Sequence, residues 1–158
     1  MKTYGFGIIG CGMIADFHSA AIAELKNGKL VAVSSRNEAN AKRVAERYNV
    51  ERYADYNEML KREDLDIVCV CTPSGAHRDP AVAAAKAGKH IIVEKPLEIT
   101  LDRCDAIIQA CDDAGVRLCA IFNSRFSEGS QLVKRTIDSG RFGVLTLGDD
   151  YIKWYRTQ

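Results

Sequence analysis

The sequence predicts an α/β protein with a doubly wound parallel sheet, followed by the beginning of a second, α+β domain. Short apolar segments, of the length of buried strands, alternate along most of the chain with segments whose apolar residues recur at helical spacing. Right-handed crossovers between such units give a sheet with helices on both faces, and we expect the strand order 3-2-1-4-5-6. We assign residues 1–122 to this sheet domain and residues 123–158 to the start of the second domain.

The composition is that of an ordinary globular protein. The 158 residues are 47% hydrophobic and 27% charged, with a formal net charge of +1, which suffices for one buried core. Lysines and arginines are scattered, so neither nucleic acid nor a membrane surface is expected as a partner. No apolar run approaches the roughly 20 residues that span a bilayer, and a cytoplasmic location is expected. None of the 6 cysteines forms a Cys-x-x-Cys pair, so we predict no metal site.

The first strand, over residues 3–9, meets the first helix, over residues 13–26, at a glycine-rich turn. Gly10 lets the chain bend, Gly12 lets the backbone approach a phosphate, and the start of the helix offers unpaired N–H groups. We therefore predict a dinucleotide site. Its contacts at this turn are Gly10, Gly12, Met13 and Ile14. On the glycines alone, a purely structural turn and a methyltransferase loop remain alternatives, because such short patterns recur by chance.

Two further expectations concern the first helix. Its apolar side chains that share one face are expected to point into the core; they are Ile14, Phe17, Ala21 and Leu25. The other expectation concerns Cys11, which stands at the helix N-terminus, where the pKa of a thiol can be lowered. Most of the remaining cysteines are expected to be small core residues.

The second strand, over residues 30–34, bears on the choice of cofactor. An acidic side chain at the end of this strand usually holds the ribose hydroxyls of NAD. Ser35 and Arg36 stand there instead, so a 2′-phosphate is accommodated and we favour NADP slightly over NAD. The same missing carboxylate argues against a methyltransferase.

Helix caps and strands continue the pattern. Asn37 is expected to cap the second helix, and Asp55 with Glu58 to form a capping box for a short third helix. The remaining strands are expected over residues 51–54, 66–71, 90–93 and 116–122, and the remaining helices over 79–87 and 100–114, with caps at Asp79 and Thr100. Beyond them we expect a helix over residues 127–139, a strand from Val144 onward and an aromatic-rich strand around Trp154.

The loops after the fourth and fifth strands supply the other candidate site residues. Since carboxyl ends of parallel strands meet at one edge, these loops should face the glycine turn. The candidates are Thr72, Pro73, Ser74, His77, Glu94 and Lys95. Near a bound nicotinamide, the Lys95 amine could bind the ribose and help to move a hydroxyl proton; the alternative is a surface lysine in a turn. Glu94 is expected to orient Lys95 or to contact cofactor, and the Lys95–Pro96 bond to be cis.

The three histidines are weighed separately. His18 and His90 are read as structural residues, whereas for His77 a structural role and a cofactor contact are equally favoured.

Several segments occur together in an order that resembles the glucose-fructose oxidoreductase, inositol dehydrogenase and rhizopine catabolism (Gfo/Idh/MocA) family. They are Gly7-Ile8-Ile9-Gly10-Cys11-Gly12-Met13-Ile14-Ala15 with His18, Thr72-Pro73-Ser74 with His77, and Gly88-Lys89-His90 followed by Glu94-Lys95-Pro96. The stretch from Gly88-Lys89-His90 to Glu94-Lys95-Pro96 is the part most specific to this family. Asn123, Arg125, Phe126 and Gly143 fit the family's continuation, so the resemblance covers essentially the whole chain.

The resemblance implies a Rossmann domain that binds NAD or NADP, and a C-terminal domain that contacts substrate and usually forms the dimer interface. It implies an oxidoreductase that moves hydride between the cofactor and a secondary alcohol of a sugar, polyol or related small molecule. Lys95 matches the family's catalytic lysine, and Asn123 is expected to contact the cofactor. The family's catalytic Asp and His have no match here, so we expect this chain to bind cofactor but to turn over poorly alone. A nicotinamide-sensing module without catalysis is the alternative.

Overall fold

A computed structural model describes residues 2–155 and confirms the predicted fold class and strand order. Six parallel strands form one sheet in the order β3-β2-β1-β4-β5-β6. The strands are β1 (Tyr4–Ile9), β2 (Gly28–Ser34), β3 (Glu51–Tyr53), β4 (Ile67–Val70), β5 (His90–Val93) and β6 (Leu118–Ala120). The helices are α1 (Met13–Ala23), α2 (Glu38–Tyr48), α3 (Tyr56–Leu60), α4 (Arg78–Lys86), α5 (Leu101–Asp113) and α6 (Glu128–Asp138). Predicted and observed ends differ by a few residues, most at α1 and β6.

Successive side chains of the central strands point to opposite faces of the sheet. In β1, Ile8 packs in the cluster that includes α1 and α2, whereas Ile9 packs in the cluster that includes α3, α4 and α5. In β4, which is buried on both sides, Val68 and Cys69 divide in the same way. This burial of both faces explains why the predicted fourth strand reads as an uninterrupted apolar run.

The structure corrects the predicted inner face of α1. Phe17 is 66% exposed and Leu25 46% exposed, while the buried positions are Ala15, Ser19 and Ile22. These lie four and three residues apart, so they also form one helical stripe. Two of the three are small, which lets α1 lie close to the sheet directly after the glycine turn. Of the predicted inward residues, Ile14 does pack against the core, whereas apolarity alone misplaced Phe17, Ala21 and Leu25.

The predicted caps have mixed outcomes. The Asn37 side chain accepts a hydrogen bond from the Asn40 N–H, which confirms this cap. Asp55 accepts one from the Asn57 N–H at 2.8 Å, as a cap should, but Glu58 pairs with Lys61 at 2.6 Å instead of completing a capping box. Thr100 occupies the cap position of α5 without a side-chain cap bond.

Helix α4 begins earlier than predicted, with His77 rather than Asp79 at its cap position. The reason is a distant side chain. The Glu98 carboxylate accepts hydrogen bonds from the N–H groups of His77 and Arg78, so the start of the helix is satisfied from a loop about 20 residues away. A local reading of the sequence does not detect such a cap.

The chain divides into two compact units, with the boundary between residues 121 and 122. In the second unit a 3₁₀ turn (Asn123–Phe126) precedes α6, and the Ser127 side chain caps α6 by accepting from the Ser130 N–H. The strands expected from Val144 and around Trp154 are wrong as far as residue 155, because residues 145–155 have no regular secondary structure. A strand requires a hydrogen-bonded neighbour, and residues 122–155 contain no strand that could supply one. None of the helices within residues 2–155 has the length and apolar character needed to cross a membrane.

Candidate functional site

The glycine turn follows the end of β1, which lies between strands β2 and β4. The Gly10 N–H donates to the Ser34 carbonyl of β2, and the Cys71 N–H, just after β4, donates to the Ile9 carbonyl, each at 2.8 Å. Gly10 has a φ of +97°, and a Cβ there would lie 2.6 Å from the Cys71 carbonyl oxygen. The fold itself therefore requires glycine at this position.

Gly12 has a different reason to be glycine. Its backbone is extended, with φ −73° and ψ −169°, which any residue can adopt. A Cβ there would have no atom within 4 Å, and α1 begins here without a side-chain cap. The N-terminus of α1, with its positive dipole end and its first N–H groups, thus borders open space, where these groups can meet an anion.

We expect a Gly10→Ala variant to lose on the order of 3 kcal/mol of its free energy of unfolding, because the methyl group meets fixed backbone in a strained conformation. Denaturant unfolding followed by far-UV circular dichroism measures this loss. Gly88→Ala is the matched control: Gly88 has a φ of +71° but no atom within 4 Å of a Cβ, so about 1 kcal/mol is expected. Equal losses in the two variants would show that the contact with Cys71 does not matter.

Cys11 does not have the lowered pKa that its position suggested. Burial raises the pKa of this thiol to about 11, which outweighs the nearby Arg43 guanidinium. The sulfur lies 3.7 Å from the Ser34 carbonyl oxygen, inside the turn. Cys11 is therefore a packing residue that joins the turn to the end of β2.

The corner beyond β2 carries the predicted Ser35 and Arg36. The Ser35 Oγ accepts a hydrogen bond from the Asn37 N–H at 3.2 Å, and Arg36 is exposed. Sequence reasoning missed a second guanidinium here. Arg43 of α2 donates to the Cys11 carbonyl at 3.4 Å and pairs with Asp16 of α1 at 2.6 Å, so it lies directly beside the glycine turn. Only the packing of α2 brings it there, and its spacing in the sequence carries no such signal.

Glu94 and Lys95 follow β5 at the same edge of the sheet. Glu94 is buried; its Oε1 accepts from the His18 Nε2 at 3.0 Å, and its Oε2 accepts from the Lys95 N–H at 3.1 Å. Lys95 itself is exposed, and the Lys95–Pro96 bond is cis, as predicted. Glu94 thus fixes the turn from which the Lys95 side chain extends. His18 is a structural partner in this arrangement, which agrees with the sequence-based reading.

The loop after β4 holds Thr72, Pro73 and Ser74. The Thr72 Oγ1 donates to the Ala76 carbonyl at 2.8 Å, while Pro73 and Ser74 are exposed. His77, by contrast, is 1% exposed, and its two ring nitrogens lie 2.8 Å from the Thr72 carbonyl and 2.9 Å from the Pro96 carbonyl. Of the two readings left open for His77, the structure supports the structural one, since neither nitrogen is free for a cofactor contact.

The fold brings most of the predicted site residues to one edge. The glycine turn, Ser35 with Arg36, the Thr72 loop and Glu94 with Lys95 all follow the carboxyl ends of adjacent strands. Asn123 lies in the second unit, and its contact with a cofactor remains a prediction. His90 accepts a hydrogen bond from the Arg117 N–H, consistent with a structural role. Within residues 2–155, no group of three or more His, Cys, Asp or Glu side chains is arranged to hold a metal ion.

A six-stranded doubly wound sheet with an open glycine turn at its switch point defines the class of Rossmann dinucleotide-binding domains. The family follows from comparison with known proteins. Residues 4–122 match the Gfo/Idh/MocA oxidoreductase family, described by its NAD-binding Rossmann fold, and the chain belongs to this family. The predicted family is thereby confirmed, and the methyltransferase alternative is excluded.

Curated relatives and solved structures agree with this assignment. The chain is 35% identical over 146 residues to an inositol 2-dehydrogenase of Rhizobium meliloti, covering 92% of this chain and 44% of the relative. It is 32% identical to a myo-inositol 2-dehydrogenase of Thermotoga maritima, over 87% of this chain and 41% of the relative. The WlbA dehydrogenase of Bordetella pertussis, solved with NADH and UDP-GlcNAcA, superposes with a TM-score of 0.88 at 33% identity, over 90% of this chain and 43% of that chain. The chain therefore spans less than half the length of these relatives.

Proposed function

We propose that this chain is the cofactor-binding part of an NAD(P)-dependent dehydrogenase that moves hydride between a nicotinamide and a secondary alcohol of a sugar, polyol or related small molecule. One observation carries the proposal: the open N-terminus of α1 at Gly12 and the exposed Lys95 follow strands of one sheet at the same edge. The relatives, which include an inositol dehydrogenase and a dehydrogenase solved with NADH and UDP-GlcNAcA, support this substrate class.

Each site residue has a part in this proposal. The turn at Gly10 and Gly12, with Met13 and Ile14 in the first turn of α1, holds the pyrophosphate, while Ser35 and Arg36 hold the adenosine ribose. The contacts on the nicotinamide side are Thr72, Pro73, Ser74, Lys95 and Asn123, and Glu94 orients Lys95. When bound, the nicotinamide ring takes up or supplies the hydride. The Lys95 Nζ would contact the substrate hydroxyl and relay its proton to solvent, while the hydride passes from the carbon atom to the nicotinamide.

The experiment has two parts. NADPH and NADH are titrated into the chain and followed by nicotinamide fluorescence; the whole protein, as its reading frame encodes it, is then assayed at 340 nm with inositols, other polyols and UDP-sugars. Saturable binding and turnover with one of these alcohols are expected. Failure of both dinucleotides to bind would contradict the proposal, and binding without turnover on any of them would favour the nicotinamide-sensing alternative. A cytoplasmic location and a homo-oligomer formed through a second domain remain predictions.

We infer a preference for NADPH over NADH from the corner beyond β2. Arg36 is exposed there, Arg43 lies beside the turn, and no carboxylate follows the strand at residues 34–36. An Arg36→Ala variant is expected to bind NADPH about 10-fold more weakly and NADH unchanged, since a charge-assisted bond to the 2′-phosphate is lost. Fluorescence titration measures both affinities.

Lys86→Ala is the control for that prediction. It removes an exposed cation from the C-terminal end of α4, at the opposite edge of the sheet, and should change neither affinity. Tenfold tighter binding of NADH than NADPH by the unmutated chain would overturn the assignment of NADP.

A further inference from the structure

A second buried carboxylate, Glu98, lies outside the residues assigned to cofactor binding. Its side chain has no exposed surface, and its Oε1 accepts from the N–H groups of His77 and Arg78 and from the Arg103 Nη2, at 3.1, 3.0 and 2.9 Å. Its Oε2 accepts from the Ile99 N–H at 2.8 Å. The Arg103 guanidinium, with these backbone donors, lowers the pKa of Glu98 to about 2, so the group is an anion with every oxygen occupied.

These contacts join two loops rather than two parts of the core. Glu98 belongs to the loop after β5, and its partners His77 and Arg78 follow the loop after β4. The His77 ring makes the reverse connection, between the Thr72 carbonyl and the Pro96 carbonyl. Arg103 of α5 adds a third link, because its Nη2 also donates to the Gly75 carbonyl at 3.0 Å. Glu98, His77 and Arg103 together form what we call the loop clamp.

Lys95 lies between two fixed points of the backbone. On its N-terminal side, Glu94 is bonded to His18 of α1 at 3.0 Å. On its C-terminal side, the Pro96 carbonyl is bonded to His77 of the loop clamp. The side chain of Lys95 is exposed, so its direction depends on these backbone anchors rather than on packing.

We propose that Glu98 is a positioning residue: through the loop clamp it holds the loops after β4 and β5 in register and so sets Thr72 and Lys95 for the nicotinamide half of a bound dinucleotide. This rests on the proposed function. The side-chain oxygens of Glu98 are all bonded within the protein, and both ring nitrogens of His77 lie within hydrogen-bond distance of backbone carbonyl oxygens, so both residues act through the backbone. In this fold the adenosine half lies toward β2 and the nicotinamide half toward β4 and β5, so the clamp serves one half of the ligand only.

The test compares two ligands on the 158-residue chain. NADPH spans both halves of the site, whereas 2′-phospho-ADP-ribose lacks the nicotinamide. A Glu98→Ala variant should bind NADPH at least about 10-fold more weakly, with its affinity for 2′-phospho-ADP-ribose within twofold of the unmutated chain, because misplacement of the two loops affects only their own contacts. Glu98→Gln keeps an acceptor oxygen for the backbone N–H groups and should recover part of the lost NADPH affinity.

Asp105→Ala, which removes an exposed carboxylate from α5, is the control and should leave both affinities unchanged. If Glu98→Ala does not fold, as judged by circular dichroism, the Glu98→Gln variant decides: it must weaken NADPH selectively. Equal loss of both ligands, or no loss of either, would overturn the positioning role. Failure of the unmutated chain to bind either ligand would instead refute the proposed function itself.

Discussion

Replacing Gly12 by valine is expected to abolish dinucleotide binding while leaving the fold intact. The valine side chain enters the open space in front of α1, where no protein atom lies within 4 Å of a Cβ, and the backbone at this position already suits a branched residue. The pyrophosphate then loses its hydrogen bonds to the first N–H groups of the helix. Two charge-assisted bonds correspond to at least about a 100-fold loss of affinity. Fluorescence titration with NADPH measures it, and the melting temperature should fall by no more than about 4 °C, the cost of losing glycine at the helix N-cap.

Gly129→Val provides the matched control for this prediction. Gly129 lies in α6 of the second unit and also has no atom within 4 Å of a Cβ, so the substitution adds the same side chain at a residue that is not assigned to the site. Its NADPH affinity should equal that of the unmutated chain. Unchanged affinity in Gly12→Val would show that the dinucleotide does not lie at the N-terminus of α1.

A Lys95→Met variant is expected to lower the turnover of the whole protein by about 10²–10⁴-fold, the usual contribution of a positioned proton-transfer group. Lys95 is exposed, and methionine keeps its apolar stem without the amine, so the fold should be unaffected. NADPH affinity is expected to stay within about threefold, because the Lys95 amine is assigned to the substrate hydroxyl and is one of several groups on the nicotinamide side. Initial rates at 340 nm with the accepted alcohol, and a parallel titration, separate the two effects.

Lys86→Met on α4 controls for loss of an exposed cation and should leave the rate unchanged. If Lys95→Met turns over within threefold of the unmutated protein, Lys95 is a surface residue of the turn and the proton must move through another group. A large loss of NADPH affinity would instead assign Lys95 to cofactor binding alone.

The fold could be predicted because its signals are local. Each apolar run with its flanking glycine or cap specifies one element, and the handedness of the crossovers then leaves few strand orders. The side of α1 that packs against the sheet could not be predicted in this way. Ala15 and Ser19 are buried because the helix passes close to the sheet, whereas Phe17, the more apolar residue, is left exposed. How closely α1 approaches the sheet depends on the geometry of the glycine turn, and the hydrophobicity of the helix residues does not predict it.

The residues around the candidate site likewise fall into those that the sequence predicts and those that it does not. Gly10, Lys95 and the cis peptide bond before Pro96 belong to short contiguous motifs and were predicted. Glu98 and Arg43 were missed because their contacts are made with residues 20 and 32 positions away. Residue type alone did not distinguish them from the other acidic and basic side chains of the chain. The prediction for His77 stayed open for the same reason, since its two carbonyl partners come from different loops.

We propose that a nicotinamide dinucleotide lies across the carboxyl edge of the sheet, between the turn after β1 and the loops after β4 and β5. Backbone amide NMR spectra recorded during an NADPH titration test it most directly, because every part of the site is observed at once. We expect saturable shifts of the amide signals of residues 10–14, 35–36, 72, 74 and 94–95, with the far ends of the same helices unchanged. Shifts confined to another surface, such as the groove between α4 and α5, or no shifts at millimolar NADPH and NADH, would contradict the assignment.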